Sequence, residues 1–438
     1  MQYLPNLLFA IALIFGLSFF VMNIRKIFRN INLGKEIDRT DNKSARWKNM
    51  FKIALGQSKM VRRPFSGFLH VVVYVGFVII NIEVLEIVID GLLGTHRIFQ
   101  SFLSASFYAF LISTFEILAA LVFVAVTLFW TRRNLANIKR FLNPEMKGWP
   151  KMDGNIILYF EMVLMTLFLV MNATDTAFQE GGIGNPISQF VVPLFEGFSA
   201  DGLHAIERTA WWLHIVGILV FLNYLFYSKH LHILLAFPNT FFANLNPKGQ
   251  FNNLEAVTSE VKLMMDPDAD PYATPEPGAA EEIPDKFGAS DVLDLNKIQL
   301  LNAYTCTECG RCTSACPANL TGKKLSPRKI MMDTRDRLEE VGRNIDANGG
   351  AFKEDGKQLL NDYILPEELW ACTSCNACVE ECPVNIDPLS IIMDMRRYLV
   401  MEESAAPQEL NMMMTNIENN GAPWQYNQQD RLNWANEE

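Results

Sequence analysis

Apolar residues in the first half of the chain fall into five long, nearly uncharged blocks. They run from Pro5 to Ile24, Gly67 to Val88, Ser106 to Trp130, Ile156 to Thr174 and Thr209 to Tyr227. Blocks of about 20 such residues predict helices that cross a bilayer, where each backbone group must bond within its own segment. The first block has no basic leader (MQYLPN) and no small-residue cleavage site after it, so a retained span is expected there and not a secretory signal. The second half changes character. A Pro-, Ala- and acid-rich stretch, DPDADPYATPEPGAAEEIPDKFGAS from Asp266 to Ser290, reads as an extended linker. Beyond it, SPRKIMMDTRDRLEEVG, KQLLNDYIL and IIMDMRRYLV each predict a helix, the first starting at Ser326-Pro327 with proline at its first position.

Composition agrees with several spans rather than one large core: half of the 438 residues are apolar, 31 are Phe, and the mean hydropathy is +0.10. The net charge of −10, with no basic patch interleaved with aromatics, argues against nucleic acid as a partner. Basic residues concentrate in two connections, twelve between Arg25 and Arg63 and six between Arg132 and Lys151, while the other two hold few, Arg97 among them. By the positive-inside rule the basic loops are cytoplasmic, the N-terminus is outside, and everything after Ser228 is cytoplasmic.

All eight cysteines lie between Cys306 and Cys382, in two runs of the form C-x2-C-x2-C-x3-C-P: CTECGRCTSACP from Cys306 and CTSCNACVEECP from Cys372. Three thiolates at i, i+3 and i+6 wrap one face of a cubane, and the fourth cysteine of each run reaches the other cluster. This assigns Cys306, Cys309, Cys312 and Cys382 to one 4Fe-4S cluster, and Cys372, Cys375, Cys378 and Cys316 to a second. A pair of zinc sites would leave the third cysteine and the repeated x3-C-P without a role. Ligand usage of this kind suits a reducing compartment, in agreement with the charge of the loops.

All six histidines lie ahead of the cysteine-bearing part, the last of them His232. His214 and His232 are 18 residues apart on the fifth block and its continuation. On one unbroken helix that is five turns, so both face one side, roughly 27 Å apart along the axis. His70, near the cytoplasmic start of the second block, is expected at the depth of His232, so the two could clamp one haem iron; His230 is the alternative to His232. An intramembrane histidine without a partner is costly, which favours a ligand role. A second haem at His214 lacks an opposing histidine, because Ile80 and Asn81 occupy the matching place; His96 and His204 lie in outer loops. Glu83, Glu86 and Asp90 share one face of the second block, and Glu116 and Glu161 also sit in apolar runs. Such carboxylates often mark proton routes, which makes Glu83 and Glu86 candidates for quinone chemistry. GGIGNP at Gly181–Pro186 lies in an outer loop and follows no strand, so flavin or nicotinamide is expected elsewhere. The absence of an internal repeat and of paired broken helices argues against a transporter.

The membrane half resembles the cytochrome b (gamma) subunit of respiratory nitrate reductase. That family has five helices with axial histidines on the second and fifth; His70, His214 and His232 match its pattern, while Ile80 departs from it. The runs TCTECGRCT, CPA and CTSCNACVEECPV resemble the iron–sulfur domain of heterodisulfide reductase-like proteins. Their fusion is similar to membrane iron–sulfur oxidoreductases that pass electrons between electron-transfer flavoprotein and menaquinone. The resemblance implies haem b, menaquinone or another quinone, and either electron-transfer flavoprotein or a separate subunit bearing the CCG domains absent here. The expected architecture is an all-α bundle of five transmembrane helices plus a mainly α-helical dicluster ferredoxin-like domain. Its parts are a cytochrome b-like domain over 1–245, a linker over 246–290, the dicluster domain over 291–401 and a polar tail over 402–438. The location implied is a bacterial-type inner membrane with the iron–sulfur domain in the cytoplasm. The function expected is that of a quinone-linked oxidoreductase subunit or, alternatively, a non-catalytic conduit and anchor for a separate catalytic subunit.

Overall fold

A computed structural model of the chain describes residues 3–181, 184–267 and 286–436. Residues 268–285 of the linker, and Gly182–Ile183 of the GGIGNP stretch, lie outside the described residues. The five apolar blocks form helices longer than the blocks themselves, at Leu4–Ile31, Pro64–Leu93, Ala105–Asn134, Trp149–Thr174 and Ala200–Tyr224, with a short turn carrying the last to Tyr227. All five are long and apolar enough to cross a membrane. Prolines open the first, second and fourth, where no backbone N–H is needed, and Ser104 and Ser199 cap the third and fifth.

The spanning helices close into a ring, each packed on the next in chain order and the first packed on both the second and the fifth. Small residues allow this close approach: a side chain at Gly91 would fall 2.7 Å from the Phe9 ring. The inner face is apolar, with Ile80, Ile112, Phe115, Phe168 and Ile215 fully or almost fully buried. Large apolar side chains such as Phe15, Phe68 and Phe110 point outward, where lipid would solvate them.

The cysteine-bearing part is helical too, with Lys297–Thr305, Pro327–Ala347 and Pro388–Met401 as its main helices and no strand among the described residues. Each has a polar cap: a reciprocal Asn296–Gln299 capping box, Ser326 on the Lys329 N–H, and Asp387 on the Ser390 N–H. This domain does not hang free. Ile27 and Ile31 of the first spanning helix, with Leu231 and Leu235, share one apolar core with Leu300, Leu338, Val341 and Ile392. A backbone pair, Lys35 N–H to Leu295 O at 2.8 Å and Lys297 N–H to Lys35 O at 3.1 Å, joins the two halves. The domain therefore seats on the end of the bundle that carries the two basic connections.

Two local expectations are corrected. The fifth spanning helix does not run on to His232. Ser228 is extended (φ −120°, ψ 146°), and His232 opens a separate helix, His232–Phe241. Asp153 on the fourth helix imposes the break by accepting from the Tyr224 hydroxyl at 2.7 Å and from the Lys229 N–H at 3.2 Å. The five-turn relation between His214 and His232 is thereby lost. KQLLNDYIL is not a helix: only Leu359–Asp362 turns, around Asn361 at φ +74°. Its amides are taken elsewhere, Leu359 N–H by Asp291 and Leu360 N–H by the Ser290 carbonyl. In the tail, Gln408–Asn420 is helical, and Trp424 and Trp434 are exposed.

Candidate functional site: two cysteine loops and a histidine pair

Each cysteine run folds as the same turn, repeated 66 residues on. Cys306 ends the Lys297–Thr305 helix, and Cys312 sits in a short helix, Arg311–Ala315; Cys378 occupies the matching place in Ala377–Glu381. Residues two and four places after the first cysteine are left-handed in both copies: Glu308 (φ +54°) and Gly310 (φ +70°), then Ser374 (φ +56°) and Asn376 (φ +59°). The left-handed state costs a non-glycine residue roughly 1–2 kcal/mol. Three such residues in two short loops are strain that turns the thiols toward common points.

Those points are two hollows. One is lined by Cys306, Cys309, Cys312 and Cys382, with Cys378 also at its wall. The other is lined by Cys316, Cys372, Cys375 and Cys378. Among the described residues no three His, Cys, Asp or Glu side chains gather tightly enough for a single metal ion. Thiols ringing a wider hollow suit a polynuclear group. Burial pushes the Cys382 thiol up to about 11 and the Cys306 thiol up to about 12, so keeping them as thiolates takes a strong cationic partner such as iron. Backbone N–H groups already point at sulfur, Ile386 to Cys382 Sγ at 3.2 Å and Ser374 to Cys372 Sγ at 3.4 Å. Cys375 is the one exposed thiol.

The first loop faces the membrane bundle. Buried Arg311 donates to the Lys59 carbonyl at 3.0 Å and the Met60 carbonyl at 3.1 Å, and contacts Met60 Sδ. Arg328, fully buried, donates to the Arg140 carbonyl at 2.6 Å and to Glu145 at 2.7 Å. A side chain at Gly310 would collide with that guanidinium. Glu308 pairs with Arg335 at 2.8 Å and with Lys229.

His70 and His232 lie together at this same end, ring centres 6.5 Å apart and tilted by 46°. His70 Nδ1 is buried without a hydrogen-bond partner. His232 Nδ1 bonds the Lys229 carbonyl at 3.1 Å. His230 stands beside His232, ring centres 5.5 Å apart, with Nε2 3.8 Å from Glu161. His214 is buried apart from them, its Nδ1 3.0 Å from the Leu164 carbonyl and its ring against Phe168. His96 is half exposed and 3.2 Å from Asp175; His204 is exposed.

At the opposite end the carboxylates are buried and mostly tied down. Glu86 accepts from the Phe99 N–H at 2.8 Å and the Tyr108 hydroxyl, and Asp90 from the Arg97 N–H at 2.7 Å and from Ile98. Glu116 accepts from Asn172 and from the N–H groups of Ile187 and Ser188. Glu83 Oε2 has no partner, and neither has Arg97 Nη1. Arg97 binds Asp175 at 2.9 Å and Asn172 at 3.0 Å, over the Phe178 ring.

Sequence reasoning passed over Arg97, Lys229, Glu308 and Arg311. A signal existed for two: Lys229 breaks an apolar run beside the histidines, and Glu308 stands inside a cysteine motif. Nothing local marks Arg97 or Arg311, whose partners come from distant parts of the chain.

A 4Fe-4S dicluster domain family model matches residues 305–386. The chain is 29% identical, over 98% of its length, to the probable iron-sulfur-binding oxidoreductase FadF of Bacillus subtilis. It is 26% identical, over 92% of its length, to the EtfAB:quinone oxidoreductase of Syntrophomonas wolfei. It spans 61% and 55% of those two relatives. A third relative, a probable membrane-anchored ferredoxin of Chromohalobacter salexigens, is 34% identical over 34% of the chain and 24% of its own length. No solved structure matches. The chain is thus similar over nearly its whole length to iron–sulfur oxidoreductases, and it joins a 4Fe-4S dicluster domain to five helices able to span a membrane.

Proposed function

We propose that this protein is the membrane electron-transfer subunit of a quinone-linked oxidoreductase, carrying two 4Fe-4S clusters and haem b. The observation that carries the reading is the gathering, at one end of the bundle, of both cysteine hollows and the His70–His232 pair. His70 and His232 would hold the haem iron between their rings. The 6.5 Å between ring centres supports this, as do the orphaned His70 nitrogen and the carbonyl-anchored His232 ring. Cys306, Cys309, Cys312 and Cys382 would hold one cluster, and Cys316, Cys372, Cys375 and Cys378 the other. His214 stands apart from this pair, against the Leu164 carbonyl and the Phe168 ring.

When bound, these groups supply one-electron carriers between a soluble donor and a membrane quinone. The residues present do the rest. Exposed Cys375 marks the face toward a partner, such as electron-transfer flavoprotein or a CCG-domain subunit. Arg311 and Arg328 hold the other loop against the bundle. The basic connections at this end favour a cytoplasmic side by the positive-inside rule. Glu83, with an unpartnered oxygen, is the better proton-exchanging candidate, while Glu86 is held by Phe99 and Tyr108. The naming of one relative as a quinone oxidoreductase supports a quinone substrate, with menaquinone the first choice.

The test is direct. The chain in liposomes is reduced anaerobically with limiting dithionite, a menaquinone analogue is added, and haem absorbance is followed. Prompt reoxidation, blocked by a quinone-site inhibitor, is expected. Haem that stays reduced would instead favour a conduit and anchor that does not touch quinone.

A further inference from the structure

Between the histidine pair and the first cysteine loop stands one residue that touches both. The Lys229 carbonyl accepts from His232 Nδ1 at 3.1 Å, and its side chain ends on the carboxylate of Glu308, between Cys306 and Cys309. The ammonium also donates to the Pro150 carbonyl at 2.7 Å and lies 3.6 Å from Asp153. Lys229 and Glu308 are both buried, and Glu308 takes its second cation from Arg335. The result is a line of alternating charge, from partly exposed Arg335 through buried Glu308, Lys229 and Asp153, that ends at the Tyr224 hydroxyl.

Its placement is built by the fold. Asp153 breaks the fifth helix at Ser228 through the Lys229 N–H, and that break directs the Lys229 side chain to the cysteine loop and its carbonyl to His232. A continuous helix would spend the Lys229 carbonyl on its own ladder. Burying three charges in a row is expensive unless each is paired, and removing one leaves its neighbour uncompensated. An arrangement so costly for stability alone is consistent with a task beyond it.

We propose that Lys229 is the positioning residue that couples the haem-side histidine to the first cluster loop, setting the reduction potentials of both sites through one shared charge. The inference rests on the proposed haem and cluster ligation. Adding an electron to either site adds negative charge, which the buried ammonium favours and the Glu308 carboxylate opposes. Removing one charge or the other must therefore shift the potentials in opposite senses, whereas damage to packing has no reason to follow the sign of the charge removed.

The experiment compares wild-type, Lys229→Met, Lys229→Arg and Glu308→Gln forms of the full chain in detergent. Spectroelectrochemical titration follows the haem α-band, and EPR follows the two cluster signals. The Lys229→Met protein is expected to reduce less readily at the haem and at one cluster. A tenfold change in the reduction equilibrium reads as 59 mV for one electron. Glu308→Gln is expected to move both the other way, Lys229→Arg to stay near wild type, and the second cluster to remain unmoved throughout. Should Lys229→Met not assemble, Glu308→Gln alone still decides, since its potentials must rise. Unchanged potentials, or shifts of one sign in both variants, overturn the coupling while leaving the haem assignment intact. A wild-type chain without haem would overturn that assignment first, and this inference with it.

Discussion

Replacing Arg311 by Met tests how the cysteine domain is seated. The guanidinium is buried and donates to two backbone carbonyls, Lys59 at 3.0 Å and Met60 at 3.1 Å, just ahead of the second spanning helix. A hydrogen bond from a charged donor contributes about 1.5–3 kcal/mol, so the pair contributes about 3–6 kcal/mol. Both acceptors lie in a loop that water could reach once it opens, which recovers part of the loss and favours the low end. Methionine fills much of the same volume beside Met60 without the charge, which keeps a cavity term small. A loss of about 3 kcal/mol corresponds to on the order of 100-fold more frequent opening of this contact. The amides of Met60 and Val61 bond the Gln57 carbonyl and report that opening. Hydrogen exchange read by mass spectrometry should show the segment around Met60 losing about 100-fold protection, with helix interiors such as Ile112–Ala119 unchanged. Protection at Met60 equal to wild type would refute the claim that Arg311 seats the domain.

Other expectations are brief. Cys375→Ser should remove the exposed cluster and halve the iron bound per chain, with one of two EPR signals left; loss of both would mean that the hollows do not fill independently. His70→Ala should abolish the haem α-band while His214→Ala keeps it, as counted by haem extraction. Asp175 has a pH signature: burial opposes its charge, yet His96 and Arg97 hold its carboxyl well below the usual carboxylate range. A depressed folded pKa gives stability that is present above the unfolded value of about 3.9 and is lost as pH falls below it. Thermal melts in detergent should therefore lose stability below about pH 4, less steeply in Asp175→Asn, which lacks the titrating group.

Much of this architecture was legible because its signals are local. An apolar block reports its own need for lipid or core, and the five spanning helices lie where the blocks predicted them. The cysteine spacing fixes what a short loop can wrap, and the two hollows are lined by the two sets expected from it. Where local signals mislead, a distant residue intervenes. Asp153 breaks the fifth helix from 75 positions away, which no periodicity around His232 could reveal. Asp291 and Ser290 draw the Leu359 and Leu360 amides out of a helix that KQLLNDYIL would otherwise favour. Arg97 looked like a stray charge in an outer loop, yet it folds inward among Asp175, Asn172 and Phe178. The seating of the cysteine domain was equally hidden. It depends on Arg311, Arg328 and Lys229 meeting carbonyls and carboxylates contributed by other parts of the chain.

The most direct test of the central claim is a dithionite-minus-oxidised visible spectrum of the purified chain, with haem extracted and counted. The expected result is a b-type α-band and one haem per chain, lost in His70→Ala and in His232→Ala. A chain that binds its iron–sulfur clusters but shows no haem band would contradict it, and would leave a cluster-bearing membrane anchor in its place.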